Sequence, residues 1–158
     1  MEHNTSEDES KYENQMIEAF VNDPEKTSWY IESFKKYQIN GIDKMTWNWS
    51  WWAFFGGVFF LLYRKAYMAA LGLFLLMMIL SSVPIISFII SIMAGGLSTY
   101  FIYKTYKDKK TEIENTISDN QKQLDTMRVI GGFNTWVLWL AGVLYGLIVI
   151  GVFAVLSQ

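Results

Sequence analysis

The sequence has no cysteine, a single histidine and only two prolines in 158 residues. Without cysteine there is no disulfide, no thiol nucleophile and no thiolate metal site. The lone His3 stands in a polar N-terminal stretch, where it reads as a solvated bystander, so neither metal binding nor another cofactor is expected. Charge is absent in a pattern. Three apolar stretches between Trp49 and Leu156 carry no Asp, Glu, Lys, Arg or His, although 18% of the whole chain is charged. A helix crosses a hydrocarbon core of roughly 30 Å with about 20 mostly apolar residues. Residues 85–103 and 133–156 have that length, and 66–83 is slightly shorter, with Tyr63 and Tyr67 placed to extend its reach into the headgroup zone. The reading is an all-α membrane protein with three transmembrane helices.

What is present is segregated. Hydrophobic residues make up 52% of the chain and aromatic residues 17%. Residues 1–48 hold ten acidic and five basic side chains, a net of −5. An acidic end of this kind excludes a nucleic-acid surface as partner. The opening MEHNTSEDESKYENQ has neither a basic start nor an apolar core, so it does not read as a secretory signal. With little apolar surface, residues 1–22 are expected to form an acidic, mostly disordered tail.

From Asp23, an N-cap followed by Pro24 at the first helical position opens an amphipathic helix that Asn40-Gly41 would close. Tyr30, Phe34 and Tyr37 recur on one of its faces. That face either packs on the protein's own membrane-proximal surface or meets a partner. Next comes TWNWSWWAFFGGVFFLLYRKAY, with Trp47, Trp49, Trp51 and Trp52 inside six positions. Indoles favour the membrane interface, and with Tyr63, Arg64, Lys65, Trp136 and Trp139 they form the expected anchoring set. The apolar run 49–62 has 14 residues, about 21 Å as a helix. Either the segment starts at Met45 and spans a thinned bilayer, or it enters obliquely, turns near Gly56-Gly57 and stays on one side. We favour the second, a short re-entrant or interfacial segment over 45–65 whose opened backbone is sheltered by neighbouring helices.

The WNW motif, the aromatic run, the glycine pair and LLYRKAY resemble DUF2628, a family of small bacterial membrane proteins. The preceding WYIESFKKY helix and the Gly131-Gly132 pair after a polar linker extend the resemblance over roughly residues 16–132. It implies a bacterial inner-membrane protein and brings no activity, substrate or catalytic residue.

Lys and Arg near span ends set orientation. A transmembrane hairpin over 66–103, turning at Ser81-Ser82-Val83-Pro84, puts Arg64-Lys65 and the Lys104, Lys107, Lys109, Lys110 cluster on the cytoplasmic face. The linker 104–132 has Ile113, Ile117, Leu124 and Met127 near helical period. Ser118 with Gln121 matches a capping box that would split the linker, and one continuous helix fits equally well. The C-terminal transmembrane helix, 133–156, then leads to the periplasm. Within the membrane, Ser87, Ser91, Gly95 and Thr99 make a small-residue stripe, and Gly142 with Gly146 forms a GxxxG pair. Such faces permit close helix contact, within this chain or with another subunit.

Catalysis needs an acid, base, nucleophile or metal held in a site, and the apolar stretches offer only isolated Ser, Thr, Tyr and Trp. They also lack the ionisable groups on which coupled transport depends. The sequence therefore reads as a non-enzymatic accessory or scaffold subunit. Its partners would be the lipid bilayer and a membrane protein or a second copy of the chain. The alternative is a pore-forming or holin-like permeabilising oligomer.

Overall fold

The computed structural model describes residues 2–39, 41–80 and 82–157; the side chains of 2–6 and Pro84 lie outside the description, as do Asn40, Ser81 and Gln158. His3 and parts of the two expected turns therefore lie beyond what is described. Seven helices and one two-stranded hairpin appear among the described residues.

The N-terminal residues are not a loose tail. They form α1, Glu2–Val21. Met16, Ile17, Phe20 and Val21 are buried, and Tyr12 lies one turn before Met16, so an apolar stripe at helical spacing offsets the acidic composition. The chain then turns on three consecutive residues. Asn22 takes a left-handed φ of 47° and its N–H returns to the Glu18 carbonyl at 2.9 Å. Asp23 is extended as N-cap, and Pro24 opens α2, Pro24–Lys35. Asparagine tolerates the left-handed state, and proline suits the first turn.

Helix α2 stops at Lys35, short of the expected end at residue 41. A tight hairpin follows, β1 (Gln38–Ile39) against antiparallel β2 (Ile42–Asp43), with Gly41 at φ 76°. Its Asp43 carboxylate takes Lys107 Nζ at 2.9 Å and the Tyr103 hydroxyl at 2.6 Å. Burial alone would raise the Asp43 pKa, but the Tyr103 and Lys107 bonds outweigh it and hold the carboxyl below its usual range.

Helix α5, Pro84–Thr116, is the axis of the molecule. Its 33 residues make a rod of about 50 Å, longer than a hydrocarbon core is thick. The other elements are placed by their level along it. Tyr37 meets Tyr100 and Tyr103, the Asn48 N–H reaches the Gly96 carbonyl at 3.0 Å, and the Ser50 N–H reaches Gly95 at 2.8 Å. Ser50 then caps α3, Trp51–Tyr63, its hydroxyl accepting from Ala53 N. Phe54 packs on Phe88, the deepest of these contacts. At Gly57 the backbone leaves the helix with φ 48° and ψ −121°, a combination open to glycine and strained for other residues. The chain returns to the starting level, where Lys65 and Lys109 bond adjacent carbonyls. The segment thus goes down α5 and comes back, bending at the expected glycine pair. The Tyr145 hydroxyl donates to the Phe55 carbonyl beside the bend at 3.0 Å.

Among the described residues two helices are long and apolar enough to cross a membrane: the stretch Ile85–Thr116 of α5, and α7, Trp136–Leu156. The third expected crossing is α4, Tyr67–Leu80, whose 14 residues reach about 21 Å as helix. Polar linker residues continue α5 to Thr116 and then form α6, Asn120–Ile130. The break is real, but its cap is Asp119, which accepts from Lys122 N at 2.9 Å, rather than Ser118.

Candidate functional site

The charged residues nearest the apolar helices gather where five helix ends meet. Here α1, α3 and α6 end, and α4 and α7 begin. The Gly132 N–H bonds the Phe20 carbonyl at 2.7 Å, and Gly131 leaves no room for a side chain against Phe20 and Met127 backbone. Asn134 holds the end of α3 by two bonds, from its N–H to Tyr63 O at 2.8 Å and from Nδ2 to Leu62 O at 3.0 Å. Nδ2 also bonds the Tyr67 hydroxyl, at 2.9 Å. Phe133 stacks on Tyr63 with ring centres 5.2 Å apart.

Three cations enter this junction. Arg64 is only 3% exposed. Its Nε donates to the Tyr30 hydroxyl at 2.8 Å, Nη1 to the Val21 carbonyl at 3.3 Å, and its guanidinium lies 4.4 Å from the Tyr30 ring centre. Its Nη2 is buried without a hydrogen-bond partner. Lys65 Nζ bonds the Gly131 carbonyl, and Lys109 Nζ bonds Ile130 O at 2.8 Å. Burial, and next the charge of Lys65, lower the Lys109 pKa against a smaller opposing effect of Glu112. None of the three is in the ion pairs of the described residues, which join Asp23 to Lys26, Asp43 to Lys107, Glu13 and Glu114 to Lys110, and Asp125 to Arg128.

These cations face the carbonyl ends of helices, where a positive charge is favourable. Lys65 is unusual among them. With φ 58° it is the left-handed residue closing α3, its N–H returning to Leu62 O and the Ala66 N–H to Leu61 O. That position normally takes glycine.

A second assembly lies deeper. Gly95 and Gly96 are covered by indoles: a Cβ on Gly96 would sit 2.5 Å from the Trp47 ring, and one on Gly95 2.8 Å from Trp49. The stripe of Ser87, Ser91, Gly95 and Thr99 was expected to admit another helix. At Gly95 it admits Phe54 of α3 together with Trp49 from the extended backbone before that helix, while the Ser91 hydroxyl bonds its own helix at Ser87 O. Trp47 and Trp49 therefore touch α5, Trp49 half-buried and Trp47 with its outer side exposed, as Trp51, Trp52, Trp136 and Trp139 are. Tyr63 and Arg64 of the anchoring set belong to the junction. Gly142 and Gly146 have nothing within 4 Å of where a side chain would begin.

Tyr30, Phe34 and Tyr37 are buried in the chain's own core and present no exposed partner face. Two of them differ in their polar ends. The Tyr30 hydroxyl accepts from Arg64, while the Tyr37 hydroxyl, Asn48 Nδ2 and Thr99 Oγ1 are close together and buried without a well-formed bond. Removing a needed acceptor costs about 1–3 kcal/mol, whereas removing an unsatisfied hydroxyl costs little. Tyr30→Phe is thus expected to lower the melting temperature in detergent and Tyr37→Phe to leave it level or raise it. Equal losses in the two variants would contradict this assignment.

Sequence reasoning placed Arg64 and Lys65 at the interface but missed the burial of Arg64, the bond of Lys65 to Gly131, and the part of Lys109 and Asn134. No local pattern announces these, since Lys65 meets Gly131 66 positions away. The model of the family described as protein of unknown function (DUF2628) matches residues 7–107. That match begins earlier than the residues that suggested the resemblance and stops before Gly131-Gly132. No curated protein and no solved structure matches the chain.

Proposed function

The chain belongs to the DUF2628 family, and from that premise we propose that it is a non-enzymatic bacterial inner-membrane protein serving as an accessory or scaffold subunit. The observation that carries this reading is α7. It is free of charge, packs among the helices only on α3, and leaves nearly all its surface open, including the Gly142 and Gly146 face. In a bilayer lipid covers most of such a helix, and the glycine face suits a close helix contact. The opposite arrangement holds for α1, α2, α6 and the polar end of α5, whose cores are closed on one another. This is the form of a membrane-held platform with one helix left for a partner in the bilayer.

In this reading α4, α5 and α7 cross the membrane. Segment α3 re-enters, the N-terminus and α6 are cytoplasmic, and the C-terminus is periplasmic. The descent of residues 45–57 along α5 and their return to Lys65 support the re-entrant part. For α4, its length is made up by Tyr67 at one end and the Ser82-Val83 turn at the other.

Single substitutions Gln15→Cys, Asn120→Cys and Gln158→Cys test the topology, because the chain has no thiol of its own. With a membrane-impermeant maleimide on spheroplasts, Gln158→Cys alone should react. Labelling at Gln15 would make α3 a crossing, and labelling at Asn120 would invert the protein. For the scaffold role, crosslinking followed by mass spectrometry should return a recurring membrane partner. A strictly monomeric protein without one would count against it. Ion or dye flux through liposomes carrying the purified chain would favour the pore-forming alternative.

A further inference from the structure

We propose that Lys65 and Lys109, backed by the charge of buried Arg64, bind the phosphate of an anionic phospholipid, whose acyl chains lie along α7. The first ground is charge. Three full positive charges face the C-terminal ends of α1 and α6, each end worth roughly half a negative charge, and among the described residues none has a carboxylate partner within an ion-pair distance. About two positive charges remain, and the N-termini of α4 and α7 add to them. A phosphodiester supplies the missing negative charge.

The second ground is strain. Lysine occupies the left-handed closing position of α3 where glycine fits without cost. A residue kept in such a conformation points to a use for its side chain.

A lipid is favoured over a soluble phosphate by what adjoins the cations. Tyr67, Met68 and Leu71 of α4 are exposed, as are Trp136 and Trp139 of α7. A cleft of about 700 Å³ is lined by Thr135, Leu138, Trp139, Gly142 and Val143, and Thr135 follows Asn134 of the junction directly. Basic groups at the end of membrane helices, next to an apolar cleft, suit a headgroup and its chains.

The proposal rests on the reading that α4 and α7 lie in a bilayer. Alkaline carbonate extraction of membranes tests that separately: release of the protein would remove the membrane reading itself. The site is tested by native mass spectrometry of the full chain in mild detergent, titrated with dioleoylphosphatidylglycerol, dioleoylphosphatidylcholine or inorganic phosphate. We expect phosphatidylglycerol to bind at least about tenfold more tightly than phosphatidylcholine, and Lys65→Gly and Lys109→Gln each to weaken it about tenfold, the scale of one charge-assisted bond. Lys104→Gln, an exposed lysine on the same helix as Lys109, should bind as the parent does. Lys65→Gly relieves the left-handed strain, so it separates lipid binding from folding. Should it nevertheless fail to fold, Lys109→Gln carries the test. Equal binding of the two lipids, or unchanged binding by the folded variants, would overturn the proposal. Displacement of phosphatidylglycerol by equimolar inorganic phosphate would identify a site for the free anion and overturn the lipid assignment.

Discussion

Gly131→Ala is expected to lower stability by about 3 kcal/mol, a large loss for one added methyl group. The new Cβ would lie 2.7 Å from the Phe20 carbonyl oxygen and 2.8 Å from that of Met127. Both neighbours are backbone, so no side-chain rotation gives relief. Either α1 moves away from α6 or the 131–134 turn is rebuilt, and the Gly132 to Phe20 bond and the Lys65 bond to Gly131 are strained together. Tryptophan fluorescence during heating in detergent should show a midpoint lower by roughly 5–10 °C. Gly142→Ala serves as comparison, since its Cβ would meet open space. If both variants melt with the parent, the five helix ends are not packed as described.

Gly57→Ala should cost about 2 kcal/mol for a different reason. Its Cβ would come no nearer than 3.7 Å to Met77 Cε, an ordinary contact, so the cost is torsional: φ 48° with ψ −121° suits glycine alone. The same change at Gly72, inside α4 with open space around it, should stabilise by roughly 0.5–1 kcal/mol. The bend and the Tyr145 bond to Phe55 should also be coupled. Once Gly57→Ala has shifted the bend, Tyr145→Phe should add less than it costs alone, and the double-mutant cycle measures that shortfall. Additive effects, or a Gly57→Ala variant as stable as the parent, would mean that the backbone does not turn there.

The features legible beforehand were those written within one short window. Uncharged runs announced α5 and α7, the Asp23-Pro24 pair announced the start of α2, and a 14-residue aromatic run with two glycines announced a segment that bends. What escaped depends on partners far along the chain. Helix α1 looked too polar to order because its supports are distant: Glu13 is bonded by Tyr106, 93 positions away, and by Lys110, while Tyr12 bonds Gln123. The spacing of Tyr12, Met16, Ile17 and Phe20 is nevertheless a helical stripe, and it outweighs the acidic composition around it. The small-residue stripe of α5 was correctly seen as a place of close approach. Its occupant was not, since nothing in the periodicity of α5 shows that an indole, Trp49, enters at Gly95 beside Phe54 of α3. The junction was the least legible part, because Arg64, Lys65 and Lys109 are drawn in by carbonyls of α1 and α6.

Helix α5 runs without a break from its apolar beginning at Pro84 to its charged end at Thr116. No hinge separates the part among the apolar helices from the part that carries α1 and α6. The polar layer therefore inherits the attitude of the rod. In a thinner bilayer a long apolar helix leans over, and a lean of about 10° swings the far end of a rod of about 50 Å sideways by roughly 9 Å. Were α5 to cross a bilayer as proposed, the thickness of the surrounding lipid would in this way be converted, by simple leverage, into the position of a surface outside it.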